Sequence, residues 1–206
     1  MNTPANQARI APAIGTPFEG GFYAGQIRLD DGQVYALIVA PKAEGEHKPT
    51  IWMPANDDFD GAASYSDGMA NTGAMAEAGS EIAQWAMNLR IGGHDDWYLP
   101  SQDELEIIYR NLKPGTIENY CWMRSGINMS AVEAARPYTP DFPKQTQAEL
   151  FQVGSTEAFE EAWYWTSTHY LAYSESAFYQ DFDDGDQSYY DAYDELRARA
   201  VRRSVI

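Results

Sequence analysis

Helical periodicity is confined to the middle of this chain, and strand-like patterns occupy both ends. That arrangement constrains the fold more than any other feature. Residues 80–90 place apolar side chains at 82, 85, 86 and 89, the i, i+3, i+4, i+7 stripe of an amphipathic helix. Helix-friendly residues also run from Ala74 to Ala78, so the helix is allowed to start well before Ser80, and Gly92-Gly93 predicts its end. Ser101 predicts the cap of a second helix, and Glu104 three residues on completes a capping box. Its apolar face is Leu105, Ile108, Tyr109 and Leu112, and Pro114-Gly115 ends it. Upstream, residues 22–29 and 34–39 flank Asp30-Asp31-Gly32 and read as a hairpin. The second of these strands is almost wholly apolar, as in a strand covered on both faces. Downstream, residues 163–168, 177–182 and 198–203 read as strands, with Asp183-Asp184-Gly185-Asp186 as a turn. Strands, two helices, long loops and strands again give an α+β fold with an antiparallel sheet.

The remaining segments read as connections. Residues 1–17 hold three prolines and no periodicity, which predicts an extended arm ahead of one domain spanning 18–206. Residues 41–49 read as a charged loop followed by a short strand at 51–53, and 57–73 as a Gly/Ser/Asp-rich loop. Residues 115–160 read as loop, with a short helix at 157–161.

Charge and cysteine count exclude several function classes. The 206 residues carry 14 Lys+Arg against 31 Asp+Glu, a formal charge of −17. Phosphate backbones and anionic membrane surfaces call for clustered cations, so nucleic acid and lipid are not expected partners. A hydrophobic fraction of 44% supports a packed core rather than disorder. Cys121 is the only cysteine, which rules out an intrachain disulfide and a cysteine-based zinc cluster; it reads as a small buried hydrophobe. No signal peptide or membrane-spanning run is seen, and release by lysis as part of a virus particle fits that pattern.

Motifs for chemistry are sparse. The three histidines, His47, His94 and His169, sit in separate segments, and no nucleophile elbow, phosphate loop, dinucleotide motif or zinc-binding helix is present. With 31 acids, paired carboxylates for glycoside cleavage carry no information at this stage. From Asp181 onward the acidic run places Gly185 at the fifth position, where a calcium-binding EF-hand loop needs an acceptor, so it reads as a solvated turn and no metal or cofactor is expected. The unusual feature is residues 167–193, which hold six Tyr, four Ser and five Asp, while no Lys or Arg occurs from Gln145 through Leu196. Tyrosine offers a large amphipathic contact area for few frozen torsions, and serine adapts its hydrogen bonding, so this composition points to a binding face.

Three blocks carry a resemblance. Asp96-Trp97-Tyr98-Leu99-Pro100-Ser101 with Glu104-Leu105, then Tyr164-Trp165-Thr166-Ser167-Thr168, then Arg197-Ala198-Arg199-Ala200-Val201-Arg202-Arg203 occur in the order seen in the C-terminal domain of the collagen-like adhesin (Lcl) family. The family's usual WRLP reads Trp-Tyr-Leu-Pro here, and YWSST reads Tyr-Trp-Thr-Ser-Thr. The resemblance implies a C-type-lectin-like fold, two helices packed on a twisted antiparallel sheet with long loops, in which Trp97, Leu99, Trp165 and Val201 are scaffold. It also implies a non-enzymatic ligand-binding protein, such as a phage tail-tip or surface adhesin recognising a host-surface protein or glycan. Some relatives are variable proteins of diversity-generating retroelements, whose changing residues lie between the second and third blocks. That places ligand-binding candidates at His169, Tyr170, Tyr173, Ser174, Asp186, Ser188, Tyr189, Tyr190 and Tyr193. Adhesins of the family that bind sulfated glycosaminoglycans use basic patches, and the charge of −17 departs from that. A distant branch of the fold, the formylglycine-generating enzymes, uses active-site cysteines near the C-terminus, which a lone mid-chain Cys121 does not support. A homo-oligomer is expected, trimers being common at such tips, with the N-terminal arm docking it to a virion or holding the assembly together. The alternatives from other classes are a structural virion or surface assembly protein, and a carboxylate-dependent carbohydrate-active enzyme.

Overall fold

The computed structural model describes residues 11–54, 59–121, 124, 126–133 and 136–206. It is a mixed α+β structure with two curled, mainly antiparallel sheets and few helices. The first sheet has the order β1 (Pro17–Phe18), β2 (Gly21–Arg28), β3 (Val34–Val39) and β9 (Val201–Val205). The second has the order β4 (Glu46–Thr50), β8 (Leu196–Arg199), β5 (Trp163–His169), β6 (Ser176–Asp181) and β7 (Gln187–Asp191). The expected single antiparallel sheet is therefore corrected: there are two, and β5 pairs with β8 in parallel, through Tyr164 and Arg197. The last strand-like run is split at Ala200, whose N–H and C=O turn to Gly45 and Ala40, so one half joins each sheet.

Three helices of two turns or more replace the expected two. They are α2 (Gly68–Glu77), α3 (Glu81–Asn88) and α4 (Gln102–Leu112); a four-residue turn, α1 (Lys42–Gly45), precedes β4. The loop expected at 57–73 gives way to α2 at Gly68, and residues 55–58 lie outside the described residues. The α2 start is held by tertiary contact: a buried oxygen of Glu104 accepts the Gly68 N–H at 3.1 Å. A Cβ at position 68 would stand 2.3 Å from that oxygen, so only glycine fits. Gly92 and Gly93, both at positive φ, build the tight turn between Ile91 and His94 rather than capping α3, which ends at Asn88. The expected capping box on α4 is present, with Ser101 Oγ accepting from Glu104 N and Glu104 Oε2 accepting from Ser101 N at 2.8 Å.

Other connections also differ from expectation. The segment read as charged loop contains β4, and the strand expected at 51–53 does not form. The short helix expected at 157–161 is absent; a 3₁₀ turn, Glu149–Phe151, stands earlier. A further strand, β7, follows the acidic turn. Residues 11–17, read as part of an arm, lie against the domain: Gly15 N–H donates to Tyr23 O at 2.8 Å, and Ile14 packs beside Phe151. Residues 1–10 lie outside the described residues.

The second sheet has a core on each side. Trp165, Tyr179, Ala177 and Ala198 meet Met75, Ile82 and Ala86 of α2 and α3. Tyr164 and Phe182 meet Leu105, Ile108, Tyr109 and Leu112 of α4, together with Phe151, Phe159 and Val201. This follows from strand alternation: Tyr164 and Trp165 are neighbours in sequence and point to opposite faces. Trp97, Leu99, Trp165 and Val201 are all buried, as scaffold residues are. Cys121, in contrast, is exposed, which corrects its reading as a buried hydrophobe.

Candidate functional site

The register of β6 and β7 decides how the candidate residues are shared out. Phe178 pairs with Tyr189, Tyr179 with Ser188, and Ala177 with Tyr190. Alternation then sends Phe178 and Tyr189 to the α4 side of the sheet, and Tyr179, Ser188 and Tyr190 to the α2–α3 side. A set that reads as one face in sequence is divided between two.

The α4 side carries the larger exposed aromatic cluster. The Tyr170 and Tyr189 rings stack at 4.1 Å, and Tyr173 lies 5.5 Å from each. Phe178 forms the base, 5.0 Å from Tyr170 and 5.6 Å from Tyr65. Tyr173 is 57% exposed and Tyr65 45%, so the outer rings face solvent while their neighbours hold them in place. Burial and the adjacent Tyr173 and Tyr170 push the Tyr189 hydroxyl above its usual pKa, so it is neutral at pH 7. Arg124 stands 5.2 Å from the centroid of the Tyr65 ring, and its charge is met by Asp103 at 2.5 Å. The loop at 170–175 is tied down: Tyr170 N–H donates to Ser176 O, and Tyr173 N–H to Tyr170 O.

The remaining candidates lie apart from this cluster. His169 is buried, its ring stacked on Trp52 at 5.5 Å and beside Phe59 at 5.3 Å. Its Nε2 is 2.9 Å from the carbonyl of Ser174, so the pair anchors the loop from below, while the Ser174 side chain is at the surface. On the α2–α3 side, Trp163 stacks on Tyr179 at 4.5 Å, and Tyr190 meets Trp163 edge-on at 5.1 Å. Tyr179 OH donates to Asp186 at 2.8 Å, and Ser188 is half-buried opposite Tyr179. Tyr190 and Tyr193 are 41% and 38% exposed, the latter at the turn after β7. This second group is smaller and lies next to the acidic turn. There, burial and the neighbouring Asp184 and Asp183 raise Asp181 to about 6, although Trp163 and the Asp183 N–H donate to it. Burial likewise raises Asp186.

Tyr65, Phe178 and Arg124 are site residues that composition did not single out. Alternation in β6 would have supplied Phe178. Tyr65 and Arg124 arrive from loops, Tyr65 because its carbonyl accepts a first-turn N–H of α4, that of Asp103, at 2.9 Å.

The arginines of the C-terminal block are internal pins rather than a ligand patch. Arg199 is fully buried and bonds Glu157 and Ala40 O, with Glu46 at 3.8 Å. Arg202 makes a bidentate pair with Asp96 at 2.7 and 2.9 Å, and Arg203 pairs with Asp67 at 2.9 Å. A cavity of about 740 Å³ lies elsewhere, between β2, α4 and residues 131–133. Its Arg110 is committed to Glu106 at 2.6 Å, and none of the candidate residues lines it. Among the described residues no group of three His, Cys, Asp or Glu could hold a metal ion, and no helix is long and apolar enough to cross a membrane.

Residues 46–202 match the family of the Lcl C-terminal domain, and the chain belongs to that family. The match runs from β4 to the second residue of β9, so it contains both aromatic groups, the first two sequence blocks and all of the third but Arg203. No curated protein matches the chain.

Proposed function

We propose that this chain is a non-enzymatic, adhesin-type binding domain with a C-type-lectin-like fold, and that it holds its partner on the Tyr65–Tyr170–Tyr173–Tyr189 cluster. Family membership supports an adhesin-like role in general. The observation that carries the specific reading is the cluster itself: four tyrosine rings gathered at Phe178, two of them about half exposed, on a strand and two loops whose backbones are hydrogen-bonded. Exposed aromatics of that density are costly in water and are the residue type that dominates binding hot spots. The partner is a host-surface molecule, and the protein works at a phage tail tip or a cell surface, as a homo-oligomer whose avidity multiplies a modest single-site affinity. Its N-terminal segment docks it to the larger assembly. Diversification by a retroelement acts on the exposed positions between β5 and β8.

The test measures adhesion of the purified chain to candidate host cells. Tyr65→Ala and Tyr173→Ala are each expected to weaken binding about tenfold or more, with thermal stability unchanged because both rings are largely outside the core. Adhesion unaltered in both variants would overturn the assignment.

A further inference from the structure

Behind the tyrosine cluster lies a row of buried glutamines with amide atoms that find no hydrogen-bond partner among the described residues. Gln180 and Gln187 face each other across β6 and β7, one step along from the Phe178–Tyr189 pair and on the same side of the sheet. Gln102 and Tyr109, seven residues apart, share a face of α4. Tyr109 lies 5.5 Å from Phe182 at the far end of β6, while Gln102 N–H donates to Thr168 of β5 at the near end. The face of α4 that bears Gln102 therefore lies over the Phe178 and Gln180 rows. Asp103, the next residue, bonds the Tyr65 backbone, which sets this helix start beside the aromatic cluster.

Gln102, Gln180 and Gln187 are all at least nine-tenths buried. Among the described residues, both amide atoms of Gln102 and of Gln187 and the carbonyl oxygen of Gln180 find no hydrogen-bond partner. Buried polar groups are nearly always paired, and each unpaired one is a standing cost to the fold. Three such glutamines beside one aromatic cluster are more than packing requires. None carries charge, and the nearby cation, Arg124, is already neutralised by Asp103.

Resting on the tyrosine cluster as the binding site, we propose that these amides form a recognition slot for an uncharged saccharide. An amide exposes one donor and one acceptor side by side, and a hydroxyl is the ligand group that both accepts and donates at a single atom. Two adjacent hydroxyls of a sugar thus meet the carbonyl oxygen and one N–H of a glutamine together, while the C–H face of the ring lies on tyrosine. Entry requires Tyr189 to rotate away from Tyr170, a side-chain motion on the edge strand of the sheet. The acidic surface turns away sulfated or uronate polymers.

The experiment measures retention of the chain on immobilised cellohexaose, maltohexaose, chitohexaose and mannohexaose, with heparin and polylysine as charged counter-probes. Retention on at least one uncharged hexaose, lost about tenfold or more in Gln187→Leu and in Tyr173→Ala, is the expected result. Gln187→Leu removes an unpaired buried amide, so its melting temperature is expected to equal or exceed that of the parent, which separates lost recognition from lost folding. Retention on heparin or polylysine alone, or on none of the probes, overturns the inference. Loss of hexaose binding in Tyr173→Ala with full binding in Gln187→Leu leaves the tyrosine site standing and overturns the slot. If Tyr173→Ala keeps full binding, the tyrosine reading itself fails.

Discussion

Arg199 shows how much of this molecule rests on single residues. Its guanidinium lies 4.8 Å from the Phe159 ring centroid and bonds Glu157 and Ala40 O, joining β8 to the α1 turn and the 157–161 segment. Removing one member of a buried pair leaves the other charge uncompensated. Arg199→Met is therefore expected to cost about 3–5 kcal/mol, read as a lower urea midpoint. A loss below about 1 kcal/mol would show that Glu157 and Glu46 find other partners. At this scale the sequence was half legible. A block of arginines beside a chain of −17 charge gives no hint which acid each one meets, because Arg202 finds Asp96 and Arg203 finds Asp67 only after folding. Cys121 was misread for a related reason: exposure is set by the loop that carries it, and a lone cysteine has no local pattern to reveal that.

Among the elements, α4 and α2 mark the limits of local signals. The α4 helix has a capping box and an apolar stripe, both written between Ser101 and Leu112, and it forms where expected. The α2 helix buries Gly68, Asn71, Thr72 and Met75, the correct helical spacing carried by mostly non-apolar residues, so hydrophobic periodicity passes over it. Its start depends on Glu104, thirty-six residues away. Gly68→Ala would drive a methyl group against the Glu104 carboxylate and the Leu99 and Ser101 backbone, where nothing can yield. The expected result is a melting temperature lower by about 5 °C or more; an unchanged value would mean that α2 shifts freely. The strand β4 escaped notice because it is polar, contains Pro49 and forms at a sheet edge by pairing with β8. The same holds for the site: tyrosine enrichment was visible in the composition, but its division between two faces needed β7 and its register with β6.

The whole molecule carries its charge unevenly, and this sets its response to pH. The 181–186 turn gathers four aspartates, and no ion pair to any of them is found among the described residues. Asp181, raised to about 6, holds a proton in the folded chain that the unfolded chain releases near 3.9. Folding therefore takes up protons between those values, and stability rises as pH falls from above 6 towards 4. Burial also raises Glu46, Asp103, Glu104, Glu106 and Asp186, which reinforces the trend, whereas Arg202 and Lys42 lower Asp96 and Glu160 and work against it. Allowing for solvent screening at the half-exposed turn, Asp181 alone contributes about 1–2 kcal/mol. Melting temperature measured from pH 8 to pH 5 is expected to rise, and less steeply in Asp181→Asn. A fall over that interval would contradict the assignment.

The central claim concerns which of the two aromatic faces meets the partner. It is tested most directly by comparing host-cell adhesion of two double variants of matched stability, Tyr173→Ser/Tyr189→Ser on the α4 side and Tyr190→Ser/Tyr193→Ser beside the acidic turn. The account expects the first pair to abolish adhesion and the second to leave it within about twofold of the parent, since hot spots concentrate in one contiguous patch. Loss confined to the Tyr190/Tyr193 pair, or full adhesion in the Tyr173/Tyr189 pair, would contradict it.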